Sequence, residues 1–155
     1  MAKFPTEVER SVTVHVPIAK AYKFFWNVVG SASCIPGLDQ CKKVGKNTYE
    51  FVYEPRSTGP ITMIARYTAK YEGNGKDSIS FNSIAGKEDN TDVEGEIQLQ
   101  PSGKDATKVV LKQTLAPDTP VPRLLQSLIR SFVDKEAADT AKQYLANVKS
   151  TLEEA

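Results

Sequence analysis

Few residues in this chain are equipped for bond-making chemistry. His15 is the sole histidine. Acid–base work by it would need a carboxylate or nucleophile brought alongside. No local motif supplies one, so His15 reads as a strand-end residue ahead of Pro17. Cys34 and Cys41 match no common zinc or redox spacing. A disulfide between them is allowed, but two thiols in a chain of this size fit a reducing compartment better. Gly73-Asn74-Gly75-Lys76 lacks the spacing of a phosphate loop, and one histidine supports no Ser/His/Asp set. No catalytic set, metal site or cofactor is therefore expected.

What remains is an aromatic and apolar set with the right periodicity to share a face. Tyr49, Phe51 and Tyr53 alternate along one segment, and Met63, Tyr67 and Tyr71 along another. A tyrosine inside a cavity offers an apolar ring and a hydroxyl that orients a ligand; the same residues are also ordinary strand formers. Arg66 points to solvent if Met63 and Tyr67 point inward. In the opposite register it becomes a buried cation able to hold a carboxylate or a quinone oxygen. Tyr22, Phe25 and Trp26 fall at helical spacing and read as core.

These residues need a frame. Thr6 to Val16 alternates as a first strand, and Pro17 opens an amphipathic helix that Gly30 is expected to end. Ser31 to Cys34 reads as a short second helix before the turn Ile35-Pro36-Gly37. Strands are expected over Asp39–Val44, Thr48–Glu54, Ile61–Glu72, Ser78–Ile84, Asp92–Gln100 and Thr107–Ala116. The turns between them carry Gly, Asn, Ser or Pro, among them Ser57-Thr58-Gly59-Pro60. Short connections imply antiparallel neighbours. Pro117, Pro120 and Pro122 are expected to end the sheet. A helix of about 30 residues then runs to Leu152, long enough at about 1.5 Å per residue to cross the sheet.

One sheet face must be buried, and the long helix is the largest apolar surface available to cover it. Ala65, Ala69 and Gly95 are small residues on the expected inner faces. They suit a cavity and close helix packing equally. The expected lining of a cavity is Tyr49, Phe51, Tyr53, Met63, Tyr67, Phe81 and Ile97 from the sheet, with Leu125, Leu128 and Phe132 (and Leu124 beside them) from the helix. Loops 57–60 and 86–90 are candidates to gate it.

Composition is that of an ordinary soluble domain, 40% hydrophobic and 25% charged. The net charge of +1 gives no basic excess for nucleic acid. Met1 to Glu9 lacks the pattern of a signal peptide, and no run approaches the length of a membrane span, so a cytoplasmic location is expected.

The element order, together with Cys34-Ile35-Pro36-Gly37-Leu38 and Lys43-Val44-Gly45-Lys46-Asn47-Thr48-Tyr49-Glu50-Phe51, resembles the START-like (Bet v 1-like, SRPBCC) superfamily over nearly the whole chain. The Ile-Pro-Gly turn and the strands after it look most like the CoxG-like branch, which is associated with carbon monoxide dehydrogenase. The resemblance implies a single α+β domain over residues 1–155 with the helix-grip fold: a seven-stranded curved antiparallel sheet wrapped around a long C-terminal helix, with two short helices after the first strand. It implies binding or transport of a small hydrophobic ligand such as a lipid, quinone, sterol or polyketide. Alternatives are an accessory module docking transiently on an oxidoreductase or a membrane, and a polyketide cyclase-type enzyme on the same fold. A monomer or weak dimer is expected.

Overall fold

The computed structural model describes residues 2–3, 5–58, 61–84, 89–119 and 121–154. A short strand β1 (Ala2–Lys3) precedes β2 (Thr6–Val14), in which Val8 and Val14 are buried and Glu7 and Glu9 exposed. Two short helices follow, α1 (Ile18–Trp26) and α2 (Val28–Ala32). Pro17 caps α1, its carbonyl accepting from the N–H groups of Lys20 and Ala21. Gly30 does not end this helix as expected. Asn27 does, and its side chain accepts from the Gly30 N–H to start α2, because a short polar side chain can bond the turn that follows it.

The chain then runs through β3 (Leu38–Gly45), β4 (Thr48–Tyr53), β5 (Arg56–Thr58), β6 (Ile61–Met63), β7 (Arg66–Gly73), β8 (Ser78–Ile84), β9 (Thr91–Pro101) and β10 (Thr107–Thr119). A 3-10 turn at Arg123–Leu125 leads into α3 (Gln126–Glu154). β1 and β2 pair with β10 in succession, so they form one interrupted strand. The result is a seven-stranded antiparallel sheet in the order β2-β10-β9-β8-β7-β4-β3. Its two edges, β2 and β3, stay apart. Ile129, Val133, Ala137, Ala141, Leu145, Val148 and Leu152 form the buried stripe of α3, repeating every three or four residues as a helix facing a sheet requires.

The far end of α3 is tied to β2. Glu153 accepts from the His15 backbone N–H at 2.9 Å and from Lys149 Nζ at 2.7 Å. The Lys149 bond first, and the His15 bond with it, hold the Glu153 carboxyl below its ordinary range. Lys149 also donates to the Thr13 carbonyl. Nearer the start of the helix, Thr6 Oγ1 donates to Asp134.

Three further sequence expectations change. Ser57 and Thr58 are not turn residues but belong to β5, which pairs with β6 as a separate hairpin; Gly59 and Pro60 lie outside the described residues. The expected strand Ile61–Glu72 is broken at Ile64-Ala65, because β6 leaves the main sheet to pair with β5. Pro117 does not end β10; it falls between the pairs Leu115–Thr6 and Asp118–Lys3, where pairing with the edge is interrupted. A proline is tolerated where no ladder bond needs its N–H. Pro120 lies outside the described residues.

Asn90 holds the break. Its Nδ2 donates to the Ile64 carbonyl at 2.8 Å, and its Oδ1 accepts from the Arg66 N–H at 2.9 Å. Its own backbone bonds Arg66 and Asp118. The side chain thus replaces the ladder bonds that the departing strand gives up. Asn90→Ala should cost about 1.5 kcal/mol, the loss of a two-bond clamp on partly exposed backbone. Urea unfolding would show the loss, and amide exchange should quicken in the β5–β6 hairpin. Unchanged stability and exchange would remove the clamp.

Candidate functional site

Alternation along β7 and the segment before it places Met63, Ala65, Tyr67 and Tyr71 on the inner face. Arg66 is left on the outer one, half-buried. Tyr53 of β4, Phe81 of β8 and Ile97 of β9 join them, with Leu111, Gln113 and Leu115 of β10. The opposite wall is α3, through Phe132, Val133, Ala137, Thr140, Ala141 and Tyr144. Between the two walls lies a cavity of about 190 Å³.

The sheet wall is aromatic. Phe51 and Tyr67 are direct cross-strand partners, stacked at 4.9 Å. Tyr71 and Phe81 are partners on the next pair of strands, stacked at 5.4 Å. Phe81 in turn lies opposite Gly95 of β9. A Cβ at Gly95 would come within 2.7 Å of the Phe81 ring, so Gly95 is small because a ring covers it. Ala69 is fully buried behind the wall, whereas Ala65 lines the open space. The three small residues thus divide between packing and cavity.

The polar groups inside are mostly tyrosine hydroxyls. Tyr53 and Tyr67 bond to each other at 3.3 Å. Tyr144 lies near the Ser31 side chain, which itself donates to the Val28 carbonyl. Burial pushes the hydroxyls of Tyr53, Tyr67, Tyr71 and Tyr144 above the ordinary tyrosine range. Low dielectric disfavours the phenolate, so all four are neutral donors at physiological pH.

Charge sits at the solvent side. Arg56 and Glu54 are exposed there beside Ile35 and Pro36. Arg56 Nη1 reaches Glu136 Oε2 of α3 at 3.5 Å. Gly37, at φ 76, leaves room for the guanidinium, which a side chain there would strike. The pair therefore links the β5–β6 hairpin to the helix. Both partners are more than a third exposed, so the link contributes no more than about 1 kcal/mol.

Among the residues singled out from sequence, Tyr53, Met63, Tyr67, Phe81, Ile97 and Phe132 line this cavity. Phe51 and Tyr49 do not: Phe51 is 1% exposed behind Tyr67, and Tyr49 meets Tyr71 edge-on at 5.7 Å. Leu125 and Leu128 are also outside the lining. Leu128 is 50% exposed and Leu124 96%. At about 100° per residue, Leu128 stands about 140° around the helix from Val133, off the buried stripe. The same arithmetic brings Tyr144 to within about 20° of Val133, a signal that could have found it. Arg56 and Glu136 had no local signal, since the pair joins distant elements. His15 is exposed and outside the lining. Cys34 and Cys41 are both free thiols, and burial pushes Cys41 up to about 11. Residues 86–88 of the second gating loop lie outside the described residues.

No family model matches the sequence, and no curated protein matches it. Solved structures do match in fold. The Zhui aromatase/cyclase from a Streptomyces species superposes with a TM-score of 0.73 at 14% identity, over 96% of this chain and 94% of that one. A START superfamily protein from Mycobacterium smegmatis gives 0.69 at 14% identity, over 96% and 97%. A protein from Deinococcus radiodurans gives 0.66 at 18% identity, over 96% and 98%. The chain thus has the START-like helix-grip fold, with an open sheet gripping the C-terminal helix. No helix among the described residues is long and apolar enough to cross a membrane.

Proposed function

We propose that the protein binds a compact hydrophobic molecule in the cavity between the sheet and α3. The observation that carries this reading is the cavity itself: about 190 Å³ of space walled mainly by apolar and aromatic side chains, with four tyrosines, Thr91, Thr140 and Gln113 as its uncharged polar residues. Apolar concavities with a few placed polar groups are the usual form of small-molecule sites. The volume lies below the usual range of about 300–1,000 Å³, which favours a one- or two-ring molecule over a sterol or a diacyl lipid. Enclosing about 200 Å² of apolar ligand surface is worth about 5 kcal/mol gross, before the cost of association.

The aromatase/cyclase and START names of the fold neighbours agree with such a ligand in kind. Acid–base catalysis finds less support. The described lining holds its carboxylates, Glu54 and Glu136, at the solvent side, and its other polar residues are tyrosines, threonines and Gln113. The resemblance to the CoxG-like branch rests on the turn at Cys34-Ile35-Pro36-Gly37, which here borders the cavity through Ile35 and Pro36.

Native mass spectrometry of gently purified protein, with organic extraction of whatever it carries, tests the reading. A discrete adduct matched by an extracted small apolar compound is expected. A bare mass, with no saturable uptake of any two-ring aromatic added to the protein, would overturn it.

A further inference from the structure

We infer that the tyrosine hydroxyls make this cavity selective for neutral aromatic ligands bearing a carbonyl oxygen, and against carboxylates of the same shape. The inference rests on the cavity being a ligand site and adds the class of ligand it takes.

Hydrogen-bond accounting carries it. Tyr53 and Tyr67 share one bond, at 3.3 Å. One hydroxyl donates and the other accepts, so the accepting hydroxyl keeps a proton the pair does not use. Tyr71 lines the same space, and its hydroxyl has no hydrogen-bond partner among the described residues. Two O–H donors are thus unspent in one aromatic wall. Buried polar groups find partners, and a carbonyl oxygen has two lone pairs to offer them. The stacked rings of Tyr67, Tyr71 and Phe81 supply the surface on which a flat ligand body packs.

Carboxylates fail on charge. A buried carboxylate needs a cation or a full set of donors. The one cation in the described lining is Arg56, which stands exposed at the mouth, paired there with Glu136, and not in the aromatic wall. Glu54 stands beside it, so two carboxylates oppose one guanidinium where a ligand must enter. The mouth carries a formal charge of −1 from these groups, which repels an anion.

Three naphthalenes of similar shape separate the possibilities: 2-acetonaphthone, 2-isopropylnaphthalene and 2-naphthoate, titrated calorimetrically at neutral pH. The ketone should bind at least about a hundredfold more tightly than the carboxylate, the scale set by burying an unpaired charge. Tyr71→Phe and Tyr67→Phe should each weaken the ketone about fivefold, the worth of one hydrogen bond, and leave the hydrocarbon unchanged or tighter. Each variant removes one oxygen, and thermal melts confirm that the fold is intact. If the hydrocarbon binds but neither variant separates it from the ketone, the hydroxyls do not select the ligand, and the cavity stands without them. Naphthoate binding as well as the ketone overturns the selectivity in the same way. If none of the three binds, the ligand cavity itself is refuted.

Discussion

Gly95→Ala should lower the stability of the protein by about 3 kcal/mol, toward the upper end of what overpacking costs. At this chain length that is a fall in Tm of about 10 °C. The added Cβ would stand 2.5 Å from the Lys112 carbonyl oxygen, 2.7 Å from Phe81 Cζ and 2.8 Å from Gln113 Cβ. Two of these belong to β10, whose Gln113 is the direct partner of Gly95. Backbone in the middle of a paired ladder has no cheap way to move. The third contact, the Phe81 ring, can move, but only toward the cavity it lines. The substitution should therefore cut both stability and ligand capacity. A double-mutant cycle with Phe81→Leu separates the contributions. Shortening Phe81 should recover part of the loss and leave the Lys112 clash in place. A melting temperature within a degree or two of the parent would mean that β9 and β10 do not approach as closely as described.

Gly95 also marks how far the sequence could be read. Alternation alone places Met63, Tyr67 and Tyr71 on the inner face, and Val93, Ile97 and Leu99 on the buried face of β9. Periodicity likewise finds the long helix and most of its buried stripe. Those inferences need one element at a time. Whether Gly95 is an opening or a seat depends on which ring lies across from it, which is a fact about β8. The break at Ile64-Ala65 is hidden for a similar reason. The run from Ile61 alternates without interruption, and what stops it is Asn90, supplied by the start of a later strand. The phase of α3 shows the limit most plainly. Leu124, Leu125 and Leu128 fit an apolar rhythm, yet the helix lies on the sheet by the stripe that begins at Ile129. The cavity wall is therefore made further along, by small residues at Ala137 and Ala141 and by Tyr144. Arg56 and Glu136 meet because a hairpin peels off the sheet beside the helix, and no pattern in either segment announces it.

Ala137 gives the sharpest test of the space. It is 6% exposed and faces the cavity from α3, flanked by Val133 and Ala141. Ala137→Phe should fill that space. The new ring enters between helix and sheet along the direction a long helical side chain takes. It then buries apolar surface that costs no displaced neighbour. The protein should gain about 1–2 kcal/mol, a rise in Tm of about 5 °C. Binding of 2-acetonaphthone should fall at least about a hundredfold, because the ring and the ligand compete for one volume. If instead the helix and sheet close on each other in solution, the ring has nowhere to go, and overpacking should destabilise by about 1–3 kcal/mol. A paired measurement of melting temperature and affinity distinguishes the cases. Stability that rises while binding disappears is the signature of a filled cavity, since damage to the fold would lower both together.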